Sequence, residues 1–425
     1  MICKSPRSQN KVATSGLFGI VSGSAVANVA TTGNFTIPLM KRLNYPAPMA
    51  AGTEAVASTG GQLAPPIMGA AAFIMAEIIG VEYVNIILAA ALPAFLFYMG
   101  VFMTIDVMAK EHDLGSLTDT EVPPWKEILY WRRLTPVVIS LAALFFGIFR
   151  GNALQTAAFY GMAAALIAFP ITRVTAMADW RVVYEKITKA FKDASKGLLI
   201  IGILLAGAQI MVSMINMTGL GITLSSLIVS VGGESIFLVA FIVAGVCMVL
   251  GMGIPTTAAY VLVAAVLAPA MIKMNIAPIV AHMFVFYYAT LSVITPPVCI
   301  AVFVGAGIAE TEWTQTAKYA LSLGAVTYVI PFLFIIYPGM LAQAGVGGFC
   351  RAAFSGGLFV LAFSNLFGGM RIFANRLVDT PLWLLVAVLA VMPGIWTSVV
   401  ALIIMIVLYV TRRQLKTKRL KIAVL

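Results

Sequence analysis

The sequence predicts an all-α polytopic membrane protein. Of its 425 residues, 61% are apolar and only 10% are charged, and the mean hydropathy is +1.01. A soluble chain of this size needs many more polar residues to cover its surface. Apolar runs of about 17–25 residues recur along the chain, and each is long enough to cross roughly 30 Å of hydrocarbon.

The basic residues lie between or after these apolar runs. The net charge is +11, and the two largest clusters of Lys and Arg fall at 173–196 and at the C-terminal end. Lys and Arg accumulate in the cytoplasmic loops of membrane proteins, so the clusters indicate topology. We therefore expect a cytoplasmic loop at 173–196, membrane lipid around the spans, and no nucleic-acid partner.

The apolar runs divide the chain into four segments. Residues 1–172 form a first repeat, 173–196 are the basic loop, 197–340 form a second repeat, and 345–425 are a C-terminal helical extension with a basic tail. In the first repeat we expect a re-entrant hairpin at 12–40, a broken helix at 49–77, and spans at 83–106, 134–149 and 153–170. In the second we expect a span at 197–216, a re-entrant hairpin region at 219–272, a broken helix at 280–305, and a span at 319–338.

The hairpins and broken helices are predicted from two interruptions that occur in the same order. A segment rich in small polar residues is followed, after a short interval, by a span that contains a Pro-Pro pair. The basic clusters fall on one side of the membrane only if the two small-residue segments enter and leave on the same face. This is the inverted-repeat layout of secondary transporters. The residues concerned are Ser22–Gly33 with Pro65-Pro66, and Gly251–Thr257 with Pro296-Pro297.

Such interruptions have a chemical consequence inside a membrane. Proline removes a backbone donor, and freed carbonyl and N–H groups survive at this depth only where they line a cavity. Exposed carbonyl, Ser, Thr and Asn oxygens suit a hard cation, while helix N-termini suit a carboxylate. The two interruptions predict two cation sites beside one anion site. The alternative is that small residues and prolines only allow close helix packing.

At these residues the sequence resembles a known family. Three stretches, together with Thr295-Pro296-Pro297, are similar to the large membrane subunit of tripartite ATP-independent periplasmic (TRAP) transporters, above all to fused permeases that work with TAXI-type solute-binding proteins. The resemblance covers about 13–340. The stretches are Ser22–Gly33, Glu54–Met68 (EAVASTGGQLAPPIM) and Gly251–Pro269 (GMGIPTTAAYVLVAAVLAP).

The resemblance implies an elevator-type permease of the ion-transporter superfamily in the bacterial inner membrane. Such a permease takes a small organic acid from a periplasmic binding protein and uses a sodium gradient, with no cofactor besides the coupling ions. The family pattern implies a first sodium site at Ser22, Ser24, Asn28 and Gly60, and a second at Thr256, Thr257 and Thr295. It implies substrate contacts at Thr31, Thr32, Pro255, Thr256 and Thr257.

Glu54 is an acid inside a predicted span, where a charged side chain is costly and is usually functional. We expect it to line the transport cavity or to carry a proton, and a buried hydrogen-bonded role is the alternative.

Two other functions are compatible with parts of the sequence. Family members carry helices ahead of the first hairpin, so we expect the chain to be a truncated or split permease that needs a small permease subunit or the missing N-terminal helices. An intramembrane hydrolase with Ser22 as nucleophile and His282 as base is the remote alternative, because the sequence around Ser22 lacks a G-x-S-G pattern. The sequence thus predicts a transporter and not an enzyme.

Overall fold

The computed structural model describes residues 15–16, 18–20, 23–111, 114, 131–152, 154–173, 179–373 and 375–424. Regular structure within these ranges is helical throughout, which confirms the predicted all-α class. The helices are α1 (Ala25–Arg42), α2 (Ala47–Gly61), α3 (Ala70–Ile79), α4 (Tyr83–Glu111), α5 (Trp131–Phe149), α6 (Leu154–Arg173), α7 (Asp179–Thr218), α8 (Leu220–Gly232), α9 (Ile236–Gly251), α10 (Thr256–Lys273), α11 (Pro278–Leu291), α12 (Ile300–Ala309), α13 (Trp313–Ile336), α14 (Gly345–Phe367), α15 (Arg376–Val391) and α16 (Ile395–Val424).

Several of these helices are long and apolar enough to cross a bilayer. Six pass this test within the described residues, namely α4, α10, α13, α14 and large parts of α6 and α16. A seventh is added if the end of α7 and the whole of α8, which meet at an angle of 68°, are taken as one bent span. The chain is therefore a multi-span membrane protein, as its composition predicts.

Two stretches of the chain repeat the same succession of helices at a constant offset. Adding 231 to the residue numbers that bound α1 gives the bounds of α10, and adding 231 to the first residue of α2 gives the first residue of α11. The same offset relates the cis bonds Pro65-Pro66 and Pro296-Pro297, and the left-handed residues Asn44 and Asn275. We call these two stretches, which share this register without insertion, the first and second copies.

The two copies exchange helices with each other. The helix α12 of the second copy packs against α1 and α2, and the corresponding α3 of the first copy packs against α10 and α11. Each copy thus packs against the corresponding short helix of the other.

The second helix of each copy lies at the centre of the molecule. Every residue of α2 from Met49 to Gly61 is buried, and so is every residue of α11 from Val280 to Leu291. Membrane-exposed helices keep at least one apolar face toward lipid, so helices enclosed on all sides are held by protein alone. The chain break after α2 is buried or half-buried throughout, whereas the break after α11 is buried at its start and exposed at Pro297 and Val298.

The C-terminal helices are part of the same body. The helix α14 packs along α4, α13 and the short 3₁₀ helix Pro338–Leu341. The Ser364 hydroxyl donates to the Gly100 carbonyl at 3.2 Å, and Arg412 of α16 forms an ion pair with Glu111 of α4. These contacts attach α14–α16 to the first copy.

The segment 173–196 differs from the expected loop. From Asp179 onward it is helical, and α7 runs without interruption from there to Thr218. No Pro or Gly occurs between 179 and 196, and the Lys, Glu and Ala residues of this segment are good helix formers. The charged residues at 173–196 mark where the next apolar run begins, but charge alone does not determine whether this polar segment is a loop or a helix.

Candidate functional site

The first chain break lies between α2 and α3. Its cis Pro65-Pro66 bond falls where neither helix can continue, because proline has no N–H to donate. Two carbonyl groups left free there, those of Pro66 and Ile67, both accept from the Tyr83 hydroxyl at 2.9 Å. The break is thus stabilised by a side chain from the start of α4.

The segment before α1 packs in close backbone contact with this break. A Cβ on Gly61 would lie 2.5 Å from backbone atoms of Gly19, and one on Gly69 would lie 2.8 Å from the Gly23 carbonyl oxygen. Gly23 and Gly69 also have φ angles of +65° and +71°, which glycine adopts readily. Glycine at these positions lets two irregular backbone segments touch directly.

A buried carboxyl group connects three of the surrounding segments. Glu54 in α2 is 1% exposed, and four hydroxyl groups surround its carboxyl oxygens. Oε1 lies 2.5 Å from Thr32 Oγ1, 2.8 Å from Ser15 Oγ and 3.3 Å from Ser58 Oγ, while Oε2 lies 2.6 Å from Thr36 Oγ1. We call Glu54 and these four residues the Glu54 cluster. The cluster joins α2 to α1 and to the segment before α1.

The Glu54 cluster shows the surroundings of this acid. Its carboxyl group is enclosed by hydroxyl groups, as the buried hydrogen-bonded alternative expects, and a role as a cavity acid or proton carrier stays a prediction. Buried polar groups need such partners because an unsatisfied one costs several kcal/mol. Within the described residues Glu54 forms no ion pair, and the hydroxyl groups supply its stabilisation.

The second chain break repeats the contact made by the first. The Ser292 hydroxyl donates to the Gly251 carbonyl at 3.0 Å, and a Cβ on Gly251 would lie 2.6 Å from Ser292 Oγ. Adding 231 to Gly61 gives Ser292, so both breaks receive a turn at the same position. Beyond Ser292, the Thr295 hydroxyl lies 2.7 Å from the Tyr328 hydroxyl of α13.

One side chain connects the first break to the start of α10 in the second copy. Gln62 follows α2 and is 5% exposed. Its Nε2 donates to the Gly23 carbonyl at 3.0 Å, and its Oε1 accepts from Thr256 Oγ1, at the start of α10, at 3.1 Å. The turn before α1, the first break and the start of α10 therefore meet in one place.

The residues expected at the first sodium site occupy different surroundings. Ser22 lies outside the described residues. Ser24 is the N-cap of α1 and accepts from the Ala27 N–H at 3.4 Å, while Asn28 is fully buried and donates to the Ser15 carbonyl at 2.8 Å. Gly60 faces the Phe97 ring, which lies so close that a Cβ at this position would overlap it.

The residues expected at the substrate site and the second sodium site are also split. Thr31 is exposed and bonds within α1, at 2.8 Å from the Ala27 carbonyl, whereas Thr32 belongs to the Glu54 cluster. Pro255 is the exposed N-cap of α10, and Thr256 and Thr257 are its first two residues. The structure thus brings Thr256 to Gln62 and the first break, and Thr295 to Tyr328.

Comparison with known proteins identifies the family. The model of the tripartite ATP-independent periplasmic transporter, DctM component, matches residues 5–348 of this chain. The chain belongs to this family.

Three DctM relatives show how far the similarity extends. The chain is 24% identical over 328 residues to the 2,3-diketo-L-gulonate TRAP transporter large permease of Escherichia coli K12, with 76% of this chain and 73% of that protein covered. It is 26% identical over 340 residues to the C4-dicarboxylate TRAP transporter large permease of Vibrio cholerae, with coverage of 75% and 72%. For the isethionate TRAP transporter permease of Oleidesulfovibrio alaskensis the identity is 22% over 340 residues, with coverage of 77% and 50%.

Membership of the DctM family settles several expectations. The protein is a multi-pass permease of the bacterial inner membrane and not an enzyme, so the intramembrane hydrolase alternative is wrong. Its substrate is delivered by a periplasmic binding protein, and a small permease component completes the tripartite system. The resemblance inferred from the sequence motifs is confirmed at the level of this family.

Sequence reasoning did not single out several residues that the structure places at the breaks. Ser58 follows Glu54 by four positions, so helical spacing alone puts it on the same face. Gln62 lies within the EAVASTGGQLAPPIM stretch, but nothing in the sequence indicates its contact with Thr256. The contacts made by Ser15 and Tyr328 depend on tertiary packing and had no local signal.

Proposed function

We propose that this DctM-family permease couples uptake of a small organic acid, a carboxylate, to sodium entry by an elevator-type alternating-access cycle. The observation that carries the proposal is the constant 231-residue offset between two units whose buried helices, α2 and α11, are each followed by a Pro-Pro chain break. At membrane depth, backbone that is neither helix nor sheet is tolerated where it is buried in protein or lines a water-filled cavity.

The reciprocal packing of α3 and α12 supports an inverted repeat with the boundaries given above, 1–172 and 197–340. In this arrangement the segments 12–40 and 219–272 are re-entrant hairpins whose tips meet the two broken helices. Binding sites at the junction of two inverted units are the usual arrangement in secondary transporters, since a motion of either unit exposes the site to one face at a time.

The proposed sodium sites use oxygens at the two breaks. The first combines Ser22, Ser24, Asn28 and Gly60, and the contact between the Gly23 and Gly69 segments supports a backbone contribution there. The second combines Thr256, Thr257 and Thr295. Carbonyl, hydroxyl and amide oxygens are suitable ligands for a hard monovalent cation, and several are needed to replace its water shell.

The proposed substrate contacts are Thr31, Thr32, Pro255, Thr256 and Thr257. Pro255 and Thr256 start α10, where free N–H groups and the positive end of the helix dipole favour a carboxylate. A carboxylate bound beside two sodium ions is partly neutralised by them, which makes its desolvation less costly.

A periplasmic binding protein of the TAXI type is proposed as the partner. The support is the similarity of Glu54–Met68 to fused permeases that work with such proteins. The relatives transport chemically different acids according to their names, 2,3-diketo-L-gulonate and a C4-dicarboxylate among them.

Reconstituted uptake tests the proposal. Proteoliposomes carrying the complete tripartite system are given a labelled keto acid or dicarboxylic acid, with an inward sodium gradient or with potassium in its place. We expect accumulation only with sodium. Uptake that is equal in potassium, at matched membrane potential and pH gradient, would contradict sodium coupling.

Two variants test the residue assignments. Asn28→Ala and Thr256→Ala are each expected to raise the sodium concentration for half-maximal uptake about tenfold, since a lost ligand contact of about 1.4 kcal/mol has that effect. Thr223→Ala is the matched control, because Thr223 is exposed in α8 and bonds only within its own helix, to the Gly219 carbonyl. Wild-type sodium dependence in both Asn28→Ala and Thr256→Ala would remove these residues from the sites.

A further inference from the structure

Both polar ends of the Gln62 side-chain amide are hydrogen-bonded, one to each copy. Its Nε2 lies 3.0 Å from the Gly23 carbonyl oxygen in the turn before α1, and its Oε1 lies 3.1 Å from Thr256 Oγ1 at the start of α10. Gln62 and Thr256 are 5% and 6% exposed, so water does not compete freely for either contact. This amide therefore links the two proposed half-sites directly.

The direction of both hydrogen bonds follows from the chemistry of the groups. A backbone carbonyl can only accept, so the amide must turn its NH₂ group toward Gly23 and its oxygen toward Thr256. The Thr256 hydroxyl then donates its single proton to Gln62. The lone pairs of this hydroxyl are left to face any other ligand, which suits a cation. The proposed carboxylate substrate would then meet Thr256 through its backbone N–H at the start of α10 and not through the hydroxyl.

The link is not a product of the repeat. Adding 231 to Gln62 gives Val293, and subtracting 231 from Thr256 gives Ala25. Two apolar side chains cannot make this hydrogen bond, whereas the contact of each turn with its own break is present in both copies. The bond from Gln62 to Thr256 is thus a feature of one side only.

We propose that Gln62 is a positioning residue that couples the two half-sites. It holds the Thr256 hydroxyl in the orientation that accepts a cation, and through the Gly23 carbonyl it fixes the backbone of the first half-site. A cation at either half-site then favours the arrangement that the other requires. Because the link is reciprocal, sodium binding at the two half-sites is cooperative.

This inference rests on the proposed sodium coupling, and one experiment separates the two. The purified permease complex is heated in increasing sodium, with potassium replacing sodium at constant ionic strength, and the unfolding temperature is recorded. A ligand that binds the folded state raises the free energy of unfolding with the logarithm of its concentration once that concentration exceeds its dissociation constant. Fitting the titration with the binding equation for two sites gives the two binding constants, and from them the half-maximal sodium concentration and the Hill coefficient, without a transported substrate.

Three variants address the link from different sides. Gln62→Met removes both hydrogen bonds at similar volume, Gln62→Glu retains an acceptor for Thr256 but loses the donor to Gly23, and Thr256→Val removes the hydroxyl. Gln315→Met is the matched control, because Gln315 is exposed on α13, its side-chain amide donates to the Glu312 carboxylate at 3.2 Å, and it belongs to neither half-site. Gln62→Glu also keeps the test informative if Gln62→Met does not fold.

In the wild type we expect a Hill coefficient above one. In Gln62→Met and Gln62→Glu we expect it to fall toward one, with the half-maximal sodium concentration raised at least about fivefold, the lower end of typical coupling between sites. Combining Gln62→Met with Thr256→Val is expected to add little to the loss of cooperativity, as both changes break the same bond.

The outcomes separate the sodium coupling from the role of Gln62. A wild-type protein stabilised equally by sodium and potassium would contradict the sodium coupling and, with it, this inference. A wild type that binds sodium cooperatively, with Gln62→Met and Gln62→Glu retaining its Hill coefficient and half-maximal concentration, would overturn the role of Gln62 alone. A role in stability only would lower the unfolding temperature without sodium and leave the shape of the titration unchanged.

Discussion

Replacing Glu54 tests whether the Glu54 cluster holds the segment before α1, α1 and α2 together. Its four hydrogen bonds have lengths between 2.5 and 3.3 Å. At about 1 kcal/mol each they sum to about 4 kcal/mol. In Glu54→Leu the hydroxyl groups retain other partners, such as the Asn28 carbonyl 2.8 Å from Thr32 Oγ1, so no further penalty for unsatisfied groups is added. We expect Glu54→Leu to lower the free energy of unfolding by about 3–4 kcal/mol.

Glu54→Gln separates hydrogen bonding from charge. Its amide oxygen can accept from Ser15 and Thr32, and its NH₂ can donate to Thr36, whose own proton then goes to the Thr32 carbonyl at 3.0 Å. We therefore expect a loss below about 1 kcal/mol, since the number of hydrogen bonds is retained.

The free energies are measured by reversible unfolding of the purified permease in mixed micelles with increasing sodium dodecyl sulfate. Glu77→Leu is the control, because Glu77 is an exposed acid of α3 and its replacement should change stability by no more than about 0.5 kcal/mol. If Glu54→Leu is as stable as this control, or if Glu54→Gln is as damaging as Glu54→Leu, the reasoning about the cluster is refuted.

Two further predictions concern backbone contacts. Gly61→Ala would place a Cβ 2.5 Å from the Gly19 backbone, which cannot move aside, so we expect the free energy of unfolding to fall by more than about 2 kcal/mol in the same assay. Gly307→Ala is the control, because a Cβ there meets open space, and it should be neutral or stabilising by up to about 1 kcal/mol. The two carboxylate oxygens of Asp379 accept the backbone N–H groups of Ile372, at 3.1 Å, and of Phe373, at 3.2 Å. Asp379→Asn removes one of these acceptors, so hydrogen exchange of the two amides should accelerate about tenfold. Unchanged exchange would contradict the stabilising role of this carboxylate.

The helical class and the chain breaks could be predicted from the sequence because their signals are local. Apolar run length indicates a span, and a Pro-Pro pair ends a helix wherever it occurs. The expected broken helix at 49–77 accordingly appears as α2 and α3, which end and begin around Pro65-Pro66. The segment 173–196, expected to be a loop, is helical from Asp179 onward. Its charge indicates contact with solvent, and a solvent-exposed segment can be either a loop or a helix.

The surroundings of the site residues could not be predicted in the same way. Thr32 bonds to Glu54 and its neighbour Thr31 does not, a distinction set by the rotation of α1 against α2. The link from Gln62 to Thr256 joins residues 194 positions apart and depends on how the two copies are placed. Such contacts are determined by tertiary packing, for which a single sequence carries no local pattern.

The central claim is that the first break meets the start of α10 in the second copy at one site, and cross-linking tests it most directly. Gln62→Cys and Thr256→Cys are introduced together, in a background without the native cysteines, and membranes are treated with a short thiol-specific bifunctional reagent. Ser355→Cys with Ser398→Cys is the positive control, since these hydroxyl oxygens lie 2.9 Å apart. We predict a cross-link between positions 62 and 256 in the folded permease. Its absence while the control pair reacts would contradict the account.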